Sequence, residues 1–266
     1  MRLSLFLALA FALATPASAA DPELKMAVAD AQRSPAFRDR DLYRHPFDEL
    51  EFFGIRPDAA VVEIWPATGY WTEILAPYLH DHGQYTVAGL PADTGKEDID
   101  KARTKLQAKL NGDPGRYGRV TVTQFGHDHY EIAPPGSADF VLTFSNLHNW
   151  MSAGYADAAM AAFFAALKPG GVLGIEDHRG RDTLPQDPKA ANGYVRQDYA
   201  IELAKRAGFA FEGASEINAN PKDTKDWPEG VWTLPPTLRL GDQDRAKYEA
   251  IGEADNFVLK FRKPAL

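Results

Sequence analysis

The stretch VVEIWPATGYWTEIL, residues 61–75, decides the fold. Val61, Val62, Ile64 and Trp65 surround Glu63 with apolar, β-favouring side chains, the pattern of a buried strand. Pro66 and Gly69 break that strand, and apolar positions return with helical spacing at Ile74, Leu75, Pro77 and Tyr78. A strand that turns through glycine into a helix N-terminus lets a ligand approach backbone N–H groups and the positive end of a helix dipole. The same glycine also suits an ordinary turn.

Outward from this unit, strands and helices alternate. Strands are predicted at 85–90, 120–125, 138–144, 172–176, 210–216 and 256–262, and the continuously apolar 138–144 reads as central. Phe47, Leu50, Phe52 and Phe53 form an apolar helical face that ends at Gly54. Residues 96–110 make a charged amphipathic helix with Ile99, Ala102, Leu106 and Leu110 on one side. An alanine-rich helix at 155–167 stops at Lys168-Pro169-Gly170-Gly171, where proline cannot continue it, and a further helix runs from about 192 to 206. This alternation predicts one α/β domain, doubly wound, with helices on both faces of a mostly parallel sheet. The stretch 219–252 is too long for an ordinary connection. Trp227, Trp232, Pro235 and Pro236 give it rigid apolar surface, suited to a lid or to packing on the sheet.

The chain of 266 residues is 45% hydrophobic and 11% aromatic, enough for a full core. Residues 1–20 carry Arg2, an apolar run over 3–14 and small residues at Ala17, Ser18 and Ala19, the layout of a secretory signal peptide. A membrane span needs roughly 20 apolar residues, so the run is too short to anchor the chain. Cleavage there removes one of 29 basic side chains and none of 37 acidic ones, taking the net charge from −8 to near −9. Export predicts a periplasmic or secreted protein with no stable membrane anchor. An acidic chain with scattered Lys and Arg is poorly suited to nucleic acid. With no cysteine, a disulfide framework, a thiolate metal site and a cysteine nucleophile are excluded.

Residues 61–69 resemble motif I of the class I S-adenosylmethionine-dependent methyltransferases, a Rossmann-like family in which an acid is followed by alternating glycines. Glu63 matches the acid and Gly69 the last glycine, while Trp65 and Ala67 stand where the family usually has glycine. Ser137-Ala138-Asp139-Phe140-Val141-Leu142 is similar to the motif II region. Leu167-Lys168-Pro169-Gly170-Gly171-Val172-Leu173 and Ala207-Gly208-Phe209 keep the family's order before the fifth and sixth strands. More narrowly, RHPFDELEFFGI, EIWP, EILAPYL and FVLKF resemble a group of exported bacterial proteins described as predicted methyltransferases. The resemblance implies a seven-stranded sheet with the last strand antiparallel. It implies S-adenosylmethionine as cofactor, with Glu63, Trp65, Ala67 and Gly69 along the cofactor loop. It also implies an acid beside the adenine, for which Asp128 is the candidate. The acid that usually ends the second strand is replaced by Gly89 and Leu90.

In an open α/β sheet, ligands collect at the carboxyl ends of the strands. The first such end brings Glu63 to Gly69, the third Phe125 to Tyr130, the fourth Asn146, His148, Asn149 and Trp150, and the fifth Glu176 to Arg179. His148 and His178 are the candidates for chemistry, because imidazole near neutrality accepts a proton from a hydroxyl or amine and Asp177 is placed to orient a ring. Each also suits a structural part in the strand-end loops. Asn146 joins the cofactor-binding candidates. His127 and His129 stand two apart with no third ligand evident, so no metal is assigned. Tyr194 and Asp198, one helical turn apart, are placed to face the crevice. His80 and His82 read as solvated groups; Arg40, Tyr43 and Arg44, ahead of the sheet, read as solvated surface charge, with closure over the sheet as the alternative.

These readings lead to an exported methyltransferase acting on a small molecule. One alternative is a hydrolase or lyase that needs no cofactor and uses the histidine cluster on the same fold. Another is a binding protein that holds a small ligand without chemistry, since fold does not fix function.

Overall fold

The computed structural model describes residues 21–92, 95 and 97–265, so the leader at 1–20 lies outside them. Seven strands form one sheet: β1 (Ala60–Ile64), β2 (Gln84–Gly89), β3 (Thr121–Gln124), β4 (Ala138–Phe144), β5 (Leu167–His178), β6 (Ala210–Ser215) and β7 (Asn256–Arg262). Their order is β3-β2-β1-β4-β5-β7-β6. The first five run parallel, and β7 lies antiparallel between β5 and β6. The doubly wound sheet and its antiparallel last strand are as the sequence predicts.

Four helices precede the sheet: α1 (Pro22–Ala29), α2 (Pro35–Arg38), α3 (Asp41–Arg44) and α4 (Pro46–Phe53). The others are α5 (Thr72–Tyr78), α6 (Glu97–Gly112), α7 (Pro114–Tyr117), α8 (Leu147–Ala153), α9 (Ala156–Ala166), α10 (Gln197–Arg206) and α11 (Arg245–Ile251). Successive strand residues point to opposite faces, so the apolar side chains divide between two layers. Val62, Ile64, Val141, Leu173 and Ile175 share one core with residues of α8, α9 and α10. Val61, Val87, Phe140, Leu142 and Val172 share the other with residues of α1, α4, α5 and α6.

Two boundaries differ from the sequence reading. α9 stops at Ala166, but Lys168 to Gly171 is the irregular first part of β5 rather than a free turn. Gly170 at φ 78° and a register shift opposite Ala138 and Phe140 absorb the tight entry. α10 begins at Gln197, because Val195 is drawn beside the end of β5, where its N–H donates to the His178 carbonyl at 2.8 Å and its carbonyl accepts from Gly180 N at 2.7 Å.

The stretch 219–252 holds a 3-10 turn (Gly230–Thr233) and α11, and it has an apolar cluster of its own built on Tyr194, Val231, Leu234, Tyr248 and Ala254. The buried carboxylate of Asp223 fastens it, accepting from Tyr194 Oη at 3.0 Å, Trp227 Nε1 at 2.7 Å and Asp255 N at 3.0 Å. Tyr194 is committed to this anchor and Asp198 pairs with Arg196 at the surface, so neither faces the crevice.

Candidate functional site

The chain leaves β1 where its neighbours part, β2 on one side and β4 on the other, and this is where an open sheet forms a crevice. The loop from Trp65 to Trp71 lines it. Trp65 (φ 49°), Ala67 (φ 51°) and Gly69 (φ 90°) all take left-handed backbone. A residue with a Cβ costs roughly 1–2 kcal/mol in that region, so the loop keeps an alternating-glycine shape at two positions that no longer have glycine. At Gly69 a Cβ would come within 3.2 Å of Lys109 Cδ and 3.3 Å of Thr72 Cβ.

Glu63 ends β1 almost fully buried, with Tyr85 Oη and Thr72 Oγ1 both donating to its Oε2, the latter at 3.1 Å. Burial pushes its carboxyl up to about 7, against the pull of those hydrogen bonds and of the Arg44 charge. The Trp65 indole reaches across to the end of β3, where Nε1 donates to the Phe125 carbonyl at 2.7 Å and the ring meets Trp150 edge-on at 5.8 Å. The indole therefore partitions the crevice. A cavity of about 310 Å³ opens on the β4–β5 side, and one of about 500 Å³ lies towards α6 and the ends of β2 and β3. Trp65, Pro66 and Ala67 line both.

The smaller cavity holds the titratable groups. His148 is on the first turn of α8 and His178 is the last residue of β5, and their ring centres are 5.2 Å apart. Asp177, wholly buried, accepts from His148 Nδ1 at 2.9 Å, His148 N at 3.0 Å and His178 N at 2.7 Å. Burial works against its ionisation, but the adjacent His148 and His178 overcome this and hold its carboxyl below the usual range. His178 Nδ1 meets Asn256 Oδ1 at 2.7 Å, and Asn256 Nδ2 donates to Glu176 Oε1 at 2.5 Å. Burial lowers the His178 pKa, with Asp177 opposing, so that ring is neutral near pH 7. Burial also lifts Glu176 to about 7, with Arg44 opposing and Asp177 adding to the rise.

Arg40 and Arg44 line the facing wall, both bonded to Glu253: Arg40 Nε to Oε1 at 2.5 Å and Arg44 Nε to Oε2 at 3.4 Å. The sequence reading as solvated charge is corrected here, because α3 folds back over the crevice and Glu253, 213 residues beyond Arg40, meets it. Burial would lower the Arg44 pKa, but the Glu253 and Glu176 charges raise it. Trp232, Pro235 and Pro236 complete the enclosure from the 219–252 stretch.

Of the sequence candidates, Glu63, Trp65, Ala67, Asn146, His148 and His178 line this cavity, Gly69 is in the loop beside it, and Asp177 stands behind the histidines. Asn146 Nδ2 ties β4 to β1 through the Ile64 carbonyl at 3.0 Å. Asp128 is apart from both cavities: it tops an exposed turn and accepts from His127 Nδ1 at 2.7 Å, its side chain 82% exposed. The turn closes by mutual backbone bonds of Gly126 and His129, which carries Asp128 outward. Sequence reasoning missed Glu253 and Asn256. Asn256 opens a strand that was legible, but nothing local marks its inward amide as a partner for an imidazole.

No protein-family model matches the sequence, and no curated protein sequence does. Solved structures do match in shape. An S-adenosylmethionine-dependent methyltransferase from Aquifex aeolicus superposes with a TM-score of 0.57 at 15% identity, covering 86% of this chain and 94% of that one. The [4+2]-cyclase SpnF gives 0.58 at 16% identity, with 87% and 82% covered. Haemonchus contortus phosphoethanolamine N-methyltransferase 2, in complex with S-adenosylmethionine, gives 0.54 at 17% identity, with 84% and 53% covered. The fold is that of the S-adenosylmethionine-dependent methyltransferases.

The loop fits that cofactor in its main chain. Three alternating left-handed residues shape the loop beside the cavities, with the Trp65 and Gly69 amides donating to the Ala88 and Pro66 carbonyls, and Trp71 Nε1, at the cavity wall, is buried with no partner among the described residues. The Trp65 side chain lies across the groove, and a ligand spanning both cavities needs it rotated off Phe125.

Proposed function

We propose that this chain is an exported methyltransferase that uses S-adenosylmethionine and acts on a small molecule held in the 310 Å³ cavity. One observation carries the reading: the left-handed loop at 65, 67 and 69 lies beside the same cavity as a histidine backed by a buried aspartate. The cofactor, when bound, supplies an electrophilic methyl group; Trp65, Ala67, Gly69 and Asn146 would hold it along the loop. The rest is alignment and proton handling. Asp177 accepts from His148 Nδ1, which leaves Nε2 as the ring nitrogen placed to take the proton of an acceptor hydroxyl or amine. Arg40 and Arg44 carry one more charge than Glu253 neutralises, which favours an acceptor with an anionic group.

Export rests on the sequence of residues 1–20, with Arg2, the apolar run over 3–14 and the small residues Ala17, Ser18 and Ala19. Among the described residues, no helix is long and apolar enough to cross a membrane.

Calorimetric titration with S-adenosylmethionine and S-adenosylhomocysteine tests the cofactor. Saturable binding that tightens in Trp65→Gly is expected; silence in both proteins overturns the reading. The Trp65–Phe125 bond favours a second reading, in which the groove stays closed and the histidine cluster performs acid–base chemistry, as a hydrolase or lyase, without a cofactor.

A further inference from the structure

The two crevice imidazoles are arranged as a pair of metal ligands, and we propose that His148 and His178 bind a divalent transition-metal ion through their Nε2 atoms. The first argument is the tautomers. Ionised Asp177 can only accept, so His148 Nδ1 carries the proton of their 2.9 Å bond. Asn256 gives its Nδ2 to Glu176, which turns Oδ1 to His178 and makes that Nδ1 a donor as well. With both Nδ1 atoms donating, the coordinating nitrogen left in each ring is Nε2, and neither Nε2 has a hydrogen-bond partner among the described residues. A carboxylate or amide oxygen behind the far nitrogen is the outer arrangement that accompanies metal-binding histidines, because it fixes the ring and raises its basicity.

The second argument is spacing. A metal about 2.0–2.1 Å from each Nε2, at a tetrahedral angle, puts the ring centres roughly 5 Å apart; here they are 5.2 Å apart. A nitrogen of each ring and an oxygen of Asp177 also lie within 4.8 Å of one another. Asp177 is taken up by three donors, so it stands behind the ligands rather than among them. The remaining positions face the cavity, where water or an oxygen or nitrogen of a substrate would complete the coordination. Two imidazoles select zinc, cobalt, nickel or copper over magnesium and calcium, which require oxygen ligands. Metal binding and proton acceptance use the same His148 Nε2 lone pair, so the two roles are alternatives at one site.

Zinc chloride titrated calorimetrically into chelator-treated protein is the test. One saturable site is expected, weakened at least about tenfold in His148→Gln, in His178→Gln and in Asn256→Leu, which removes only the outer contact. A variant with His80, His82 and His127 all changed to Gln controls for surface histidines and keeps the site. Cobalt(II) added to the unaltered protein gives a readout independent of variant folding, with the visible bands of a four- or five-coordinate, nitrogen-ligated ion. Absence of saturable zinc binding, binding that persists in His148→Gln and His178→Gln, loss only in the surface variant, or a cobalt spectrum of the hydrated ion each overturns the proposal.

Discussion

The two sides of the crevice are made from opposite materials. On the β1–β3 side, Trp65, Phe125 and Trp150 pack ring against ring, and polar groups are spent inward: Glu63 on Tyr85 and Thr72, the Trp65 indole on the Phe125 carbonyl. On the β4–β5 side, two imidazoles each keep a nitrogen free, and two arginines face them across open space. One side has closed over its own side chains while the other has kept unspent chemistry. The difference teaches that a shared fold does not secure a shared pocket: backbone shape can persist at 65 and 67 while the side chains there fill the volume it framed.

If reactivity resides on the open side, His148→Ala has the largest effect, lowering kcat on whichever substrate is found by about 10²–10⁴-fold. Asp177→Asn lowers it too, since the ring loses the acceptor that fixes its tautomer, and the pH–rate profile shifts with it. Full turnover in both variants would move the chemistry elsewhere.

On the closed side, the buried Glu63 shapes stability rather than turnover. Its folded pKa of about 7 exceeds the unfolded 4.5, so the native state binds the extra proton, and stability falls as pH rises from 4.5 to 7. Glu63→Gln removes that loss. Its advantage over the parent in denaturant unfolding is near zero at pH 4.5 and grows to an upper bound of about 3 kcal/mol above pH 7. A pH-independent difference would mean that Glu63 is ionised without cost.

Smaller effects separate the indole from the loop. Trp65→Gly reopens the groove and tightens S-adenosylmethionine by about tenfold, or about 1.4 kcal/mol, in calorimetry. Ala67→Gly, at an exposed left-handed position, changes stability by less than about 1 kcal/mol, because relief of backbone strain is partly offset by the looser unfolded chain. A large loss there would show that the Ala67 methyl packs against something essential.

The sheet was legible because its evidence is local. Near-continuous apolar runs mark β4 and β7 at their observed ends, and Gly54 at φ 79° stops α4 where the helical face runs out. Boundaries failed where a distant partner intervened, as at Val195, which pairs with the end of β5 instead of starting a helix. The strand-end histidines were readable because topology alone brings the ends of β4 and β5 together. The failures were Asp128, displaced by a turn closed by two backbone bonds, and Arg40 with Arg44, whose partner Glu253 lies more than 200 residues away.

Residue order alone established the layered α/β architecture, the acidic cysteine-free composition and the positions that reach the crevice, since periodicity and strand ends are properties of neighbours along the chain. Folding in three dimensions settled which of those positions are free to react. That depends on whether a side chain's polar atoms are consumed by partners remote in the chain, as Trp65 is by Phe125, or left open to the cavity, as the Nε2 atoms of His148 and His178 are.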